Sequence, residues 1–235
     1  MTKTDRLWKL CICDNTVALY YEKMVNMMLS KNNVLNCLKI EALNEKNYKD
    51  YLGFFDKLIL QSDNRIICYC TMWNMTEEEI ETEIFKPVKQ SRMCLNESSR
   101  KATEGLLAKN AIHGYLAYLN DLPVGWCNAG DRNGYVFLGR HVKNDFSMPN
   151  GKILSIVGIE VEESFRSKGI ADSIVKHVCC EAKKAGYEYV EAYPSSRGCM
   201  SGQTYRYLTK LYEKNGFISK FVSESDRIMQ KDLSK

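Results

Sequence analysis

The amino-acid sequence predicts a mixed α/β fold, and three observations carry this prediction. Residues 152–161 are the longest run of strand-forming residues, and their near-continuous apolar character suits a central strand covered on both faces. An amphipathic helix is predicted at residues 168–185, with Gly186 at its end. The chain then continues as strand, helix, strand and strand, which indicates a sheet with at least one crossover connection.

The other elements follow from local patterns along the chain. In the first half we predict a strand at 37–43, a helix at 44–60, a strand at 66–73, and helices starting at the Thr76 capping box and at residue 98. A hairpin is predicted with strands 113–119 and 124–128 around a turn at 120–123. In the second half we predict a strand at 187–193, a helix at 201–214, and strands at 217–222 and 227–230.

Composition and charge limit the class of protein. The chain has 235 residues, of which 45% are hydrophobic, which is enough for one sizeable core or for a domain with an appended piece. We predict a domain at residues 34–235 and an N-terminal extension at residues 1–33, helical around 17–29 and of unknown role. The net charge is +4, and its 33 basic and 29 acidic residues are interleaved, so nucleic acid is not expected as a partner.

The cellular compartment is predicted from what the N-terminal region and the cysteines indicate. The first residues do not form a secretory signal, and the apolar run at 17–21 is far too short to span a bilayer. The ten cysteines are therefore expected to be reduced thiols. We predict a cytoplasmic protein without membrane contact.

The most informative segment is residues 161–171, in which the central strand leads through a basic, glycine-containing turn into a helix. Such a turn aims several backbone N–H groups at one point and places the positive end of the helix dipole there. Arg166 and Lys168 add full charges, and Gly169 allows a ligand to approach the backbone closely. A ligand that carries a pyrophosphate is expected to bind at this turn.

Residues 166–171, Arg-Ser-Lys-Gly-Ile-Ala, resemble the Arg/Gln-x-x-Gly-x-Gly/Ala signature of the GNAT superfamily of acyl-CoA-dependent N-acyltransferases. The strand before them, the Leu-Tyr-Glu-Lys-Asn-Gly-Phe string at 211–217 and the hairpin at 114–126 resemble the same family in the same order. The resemblance covers about residues 35–231. It departs from the family pattern at four positions: Glu163, Ser167, Tyr205 and Leu208.

The resemblance implies a mostly antiparallel sheet of about six or seven strands with helices on both faces, and acetyl-CoA as cosubstrate. It implies that the fourth strand splays from the fifth and that the pantetheine arm lies in the gap. Backbone groups of Ile159 and Val161 would pair with the pantetheine amides, and a fourth-strand N–H such as that of Ile159 would face the oxyanion. The pyrophosphate would bind the phosphate turn, which consists of Arg166, Ser167, Lys168, Gly169, Ile170 and Ala171.

Acetyl transfer to an amine also requires a proton for the departing thiolate. Tyr212 is the candidate general acid, because a phenol with a pKa of about 10 is protonated at neutral pH. Glu160 is a weaker candidate for the general base, since it lies near the end of the strand. Tyr69, Trp73 and Trp126 are expected either to line an acceptor pocket or to pack in the core. The expected partners are acetyl-CoA and an amine acceptor, and a homodimer stays open.

Two alternatives stay open at this point. A non-catalytic acyl-CoA-binding or interaction module would keep the same turn, and packing of residues 1–33 on a partner would favour it. The pairs Cys11/Cys13 and Cys68/Cys70 could be interpreted as four zinc ligands. Their spacing is not that of a zinc ribbon, so no metal is predicted.

Overall fold

The computed structural model describes residues 31–61, 69–91, 93–136, 138, 151–194, 202–222 and 227–234. Within these residues the framework is a seven-stranded sheet with the order β1-β2-β3-β4-β5-β7-β6. The strands are β1 Leu38–Ala42, β2 Gly114–Leu119, β3 Leu122–Asp131, β4 Ile153–Val161, β5 Tyr189–Ala192, β6 Ile218–Val222 and β7 Arg227–Asp232. Neighbouring strands are antiparallel, apart from the parallel pair β4–β5. The predicted mixed, mostly antiparallel sheet is therefore confirmed.

Helices surround this sheet. They are α1 Lys31–Asn36, α2 Tyr48–Gln61, α4 Leu95–Ala108, α5 Ile170–Lys184 and α6 Gly202–Lys214. Between α2 and α4, the consecutive segments Glu77–Glu79, Ile80–Phe85 and Lys86–Ser91 together form α3, of which the middle segment is π-helical. Among the helices described, none is both long and apolar enough to pass through a bilayer.

Two apolar cores lie on opposite faces of the sheet. The first core contains the buried stripe of α5, namely Ile170, Ala171, Ile174, Val175, Val178, Cys179 and Ala182. The second contains the buried stripe of α2, namely Tyr51, Phe54, Phe55, Leu58 and Ile59. Both stripes have the spacing of one helical face. The adjacent β3 residues Trp126 and Cys127 belong to different cores, as strand alternation requires. Helices on both faces, as predicted, are confirmed.

The predicted hairpin forms with a shorter turn. Asn120 and Asp121 have positive φ angles of 49° and 63°, which is the pattern of a two-residue type I′ turn. Pro123, which we predicted in the turn, belongs to β3. It pairs with Tyr118 beside a register shift, a position at which a strand tolerates the missing N–H.

Other boundaries differ where side chains cap the backbone. The helix predicted from residue 44 begins at Tyr48, because the Asn44 and Asn47 side chains accept backbone hydrogen bonds in the preceding turn. The capping box at Thr76 and Glu79 is confirmed. The described end of the predicted strand 66–73 is wrong, since Met72–Asn74 is a 3-10 helix. The predicted helix at 17–29 lies outside the described residues.

Asp172 joins the start of α5 to the end of α6. Its carboxylate lies 2.8 Å from Lys176 Nζ and 3.1 Å from Lys214 Nζ, and it accepts a hydrogen bond of 3.0 Å from Asn215 Nδ2. Burial raises the pKa of Asp172, but these hydrogen bonds outweigh it and lower the pKa to about 2. The two helices next to the predicted phosphate turn are therefore held together by an ionised side chain at neutral pH.

Candidate active site

The strands β4 and β5 separate halfway along β4. They pair only where residues 153–156 of β4 lie beside residues 189–192 of β5. On its other side β4 stays paired with β3 as far as Val161, with a bulge at Val157. Within the described residues, the last five positions of β4 therefore have one paired side and one open side.

The backbone groups of Ile159 and Val161 point toward the open side. The N–H of Glu162 donates to the carbonyl of Val124 on β3 at 3.0 Å. In an antiparallel ladder, residues alternate between bonding the neighbouring strand and facing away from it. Val161 and Ile159, one and three positions before Glu162, consequently direct their N–H and C=O groups away from β3. This is the geometry that an extended amide chain in the gap requires.

The phosphate turn leads from β4 into α5 with two residues in the left-handed region. Ser167 has φ 62° and Gly169, at the N-cap of α5, has φ 88°. Arg166 is exposed, and its Nε donates to the Val161 carbonyl at 3.0 Å. Lys168 Nζ lies 5.2 Å from the ring centre of the buried Phe165. In the family that this sequence resembles, glycine often stands where Ser167 stands here. The left-handed conformation gives a physical reason for that glycine.

Tyr212 lies on α6, deep in the first core. Its side chain is 3% exposed, and its ring centre is 5.3 Å from that of Phe217. Burial raises the pKa of Tyr212 well above the ordinary value, and the nearby thiols of Cys127 and Cys179 raise it further. Cys127 is the β3 partner of Ile159. Tyr212, Cys127 and Ile159 thus belong to the same core on the α5 face of the sheet.

Glu160 faces the other side of the sheet. It lies opposite Trp126, which belongs to the α2 core, whereas Ile159 packs against the α5 core. Burial raises the pKa of Glu160, and the Arg166 guanidinium opposes this rise. The structure thus places Glu160 and Tyr212 on opposite faces of β4.

Among the aromatic residues considered for an acceptor pocket, two are core residues. Tyr69 and Trp126 are buried in the α2 core, where Trp126 packs edge-to-face on Tyr51. Trp73 packs instead against the small cluster of Tyr135, Leu138 and Val157 at the β4 bulge. Trp73 is therefore the aromatic residue of the three that lies beside the open half of β4.

A polar cluster at the β4 bulge was not predicted. Asn128 donates to the carbonyl of Cys70 at 2.6 Å and accepts from the Tyr135 hydroxyl at 2.7 Å. The Sγ atom of Cys70 lies directly above Gly158, at 2.4 Å from the position that a Cβ would occupy. Cys70 itself has φ 59°. These residues fix the backbone of β4 one position before Ile159.

A second unpredicted network pins β4 to β5 where the gap begins. The buried carboxylate of Glu191 lies 3.0 Å from Arg132 Nη1 and accepts hydrogen bonds from Tyr193 at 2.6 Å and Gln230 at 2.9 Å. The Tyr193 hydroxyl is also 2.9 Å from Ser155 Oγ on β4. One feature of the sequence indicated this network, namely a glutamate inside the otherwise apolar β5, since a buried charge requires partners.

We expect Gly158→Ala to lower the free energy of unfolding by about 1–3 kcal/mol, because the new Cβ would overlap the Cys70 thiol. Adding Cys70→Ala removes that thiol and should recover most of the loss. Gly53→Ala is the matched control, since a Cβ there meets nothing within 4 Å and the site is helical. Urea denaturation measures the free energy of unfolding of the wild type, the two single variants and the double variant. Equal loss in the single and double variants would contradict the overlap.

Metal ligation was also considered for the cysteines. Across the described residues, there is no group of three or more His, Cys, Asp or Glu side chains that could hold an ion. Cys11, Cys13 and Cys68 lie outside these residues, and Cys70 is half-buried at the bulge.

The sequence matches the profile described as Acetyltransferase (GNAT) family over residues 73–217. Among solved structures, PaiA N-acetyltransferase from Thermoplasma acidophilum in complex with coenzyme A is 14% identical. The match covers 83% of this chain and 98% of that one, with a TM-score of 0.47. An N-acetyltransferase from Staphylococcus aureus Mu50 is 18% identical, with 83% and 98% coverage and a TM-score of 0.44. No curated protein matches this sequence.

Proposed function

Because this chain belongs to the GNAT acetyltransferase family, we propose that it transfers an acetyl group from acetyl-CoA to a primary amine by direct attack. The observation that carries this proposal is the open side of β4. Within the described residues no strand pairs with this side of β4 beyond residue 156, and β4 leads directly into a basic turn with two left-handed residues and a helix N-terminus. The same continuous track offers amide partners to a pantetheine arm and N–H groups to a pyrophosphate.

Each residue of this track has a proposed role. Ile159 and Val161 hold the pantetheine amides through their backbone, and the Ile159 N–H stabilises the oxyanion. Arg166, Ser167, Lys168, Gly169, Ile170 and Ala171 hold the pyrophosphate. Ser167 fits this role because its N–H is available even without the glycine of the family pattern.

Tyr212 donates its proton to the departing thiolate. The raised pKa keeps the phenol protonated, and Tyr212 lies in the same core as Ile159. Glu160 stays the weaker candidate for the base, on the face that α2 covers. We propose that residues 34–235 form the catalytic domain and that residues 1–33 are an extension. We also propose that the protein is cytoplasmic, and a homodimer stays open.

Two measurements on the full chain test this function. Calorimetry with acetyl-CoA should give micromolar binding, and release of free thiol should rise when a panel of primary amines is added. The panel covers small amines, aminoglycosides, amino acids and peptides with free N-termini. Binding without thiol release for every amine would favour a non-catalytic acyl-CoA-binding module, and absence of binding would exclude both.

A further inference from the structure

The side chain of Glu162 is completely buried between β4 and the phosphate turn. It is 0% exposed, and Lys57 Nζ on α2 lies 2.9 Å from each of its carboxylate oxygens. Ser164 Oγ donates to the same carboxylate at 2.9 Å, and Gln61 Nε2 lies 3.5 Å away. A buried carboxylate with this set of donors is held in one place, because a buried charge without its partners is strongly destabilising.

These contacts join two parts of the molecule that belong to different faces of the sheet. Lys57 and Gln61 lie on α2, whose apolar stripe packs in the second core. Glu162 is the residue before the 3-10 helix Glu163–Phe165, which leads directly into Arg166. Phe165, at the end of this short helix, is buried in the first core. The approach to the phosphate turn is consequently fixed at both faces.

We propose that Glu162 is a positioning residue for the pyrophosphate and that its ion pair with Lys57 sets the place of the phosphate turn. This inference rests on the proposed function, since it assumes that the turn binds acetyl-CoA. Glu162 touches no ligand. It acts through the backbone of residues 163–166, where a shift of about 1 Å would misalign several N–H groups at once.

The backbone bond from the Glu162 N–H to Val124 ends the ladder between β3 and β4. Beyond it, the Glu162 carboxylate contacts α2 and the Phe165 ring packs in the first core, and Arg166 Nε bonds the Val161 carbonyl directly after this segment. Loss of the charge at Glu162 would remove the tie to α2, so that residues 162–166 would shift between their remaining anchors on β4 and α5. Binding of the pyrophosphate should suffer from such a shift, and binding of the pantetheine arm along β4 should not.

The test compares two ligands in purified full-length variants. Glu162→Gln should weaken the binding of acetyl-CoA about tenfold, as measured by calorimetry. The affinity for S-acetylpantetheine, which lacks the pyrophosphate, should change by less than about twofold, as measured by ligand-observed NMR. Lys57→Met should reproduce the loss, and Lys57→Arg, which keeps the charge, should restore binding to within about threefold of wild type. Glu181→Gln is the matched control, because Glu181 forms an ion pair with Lys184 at the far end of α5.

The outcomes separate the two proposals. Wild-type protein that does not bind acetyl-CoA overturns the proposed function and this inference with it. Wild-type binding with unchanged affinity in folded Glu162→Gln and Lys57→Met overturns the inference alone. An equal loss for acetyl-CoA and S-acetylpantetheine also overturns it, since a general disturbance of the fold would weaken both. Ser164→Ala, which removes one hydrogen bond and no charge, keeps the test usable if Glu162→Gln does not fold.

Discussion

Tyr212→Phe is expected to lower kcat for acetyl transfer by about 100-fold or more, while acetyl-CoA affinity stays within about twofold. The substitution removes one hydroxyl and keeps the ring that packs on Phe217. Binding in the β4 gap depends on backbone groups and on the phosphate turn, neither of which involves this hydroxyl. The thiolate that departs in the variant has no phenol to protonate it.

The pH profile tests the raised pKa of Tyr212 in the same assay. Because burial raises the pKa of Tyr212 well above the ordinary value, the phenol stays protonated throughout the usual assay range. Deprotonation of Tyr212 should therefore not lower the wild-type kcat below about pH 10. A general acid with an ordinary phenol pKa would begin to lose activity near that pH.

Tyr207→Phe is the matched control for this substitution. Tyr207 lies on the same helix and is 52% exposed, so removal of its hydroxyl should leave kcat unchanged. Steady-state thiol release with an amine from the acceptor panel measures both variants. If Tyr212→Phe keeps full kcat with that amine, another group protonates the thiolate and the assignment of Tyr212 is wrong.

The double variant Arg166→Ala, Lys168→Ala is expected to weaken acetyl-CoA binding by about 100-fold. Two charge-assisted contacts to a pyrophosphate together contribute about 3 kcal/mol, which corresponds to that factor. Loss of Arg166 also removes the donor that the Val161 carbonyl now has, 3.0 Å away. Calorimetry at low and at raised ionic strength measures the effect, and the variant should depend less steeply on salt than wild type.

Lys183→Ala, Lys184→Ala is the control with the same change of charge. Both lysines lie in the last turn of α5, at the end of the helix opposite the phosphate turn. Their loss should change acetyl-CoA affinity by less than about twofold. Similar losses in both double variants would indicate a general electrostatic effect and would contradict a localised pyrophosphate site.

The parts of the fold that sequence patterns predicted are those with a strong local signal. β4 is a long apolar run, and α5 has apolar residues at helical spacing between a glycine turn and Gly186. The weaker predictions concern chain segments with mixed signals. Residues 69–73 are β-prone by composition, but Asn74 donates to the Ala111 carbonyl and a 3-10 helix forms there instead.

The candidate site divides in the same way. The phosphate turn and Tyr212 could be proposed from the sequence because short strings mark them and these strings lie in a fixed order along the chain. The clusters around Cys70 and Glu191 were not predictable, since their partners are far apart in sequence. Asn128 and Cys70, for example, are separated by 58 positions. No periodicity or motif connects residues at such distances.

The amino-acid sequence by itself determined the central strand, the turn that follows it, the helix that the turn begins and the family to which the chain belongs. Each depends on residues close together in the chain, where propensity, periodicity and backbone freedom act directly. Only the tertiary structure decided that β4 separates from β5 after Ile156, that a thiol covers Gly158, and that Lys57 reaches Glu162 across 105 positions. Those contacts form because two cores bring distant segments together, and the burial of a charge there requires its partner.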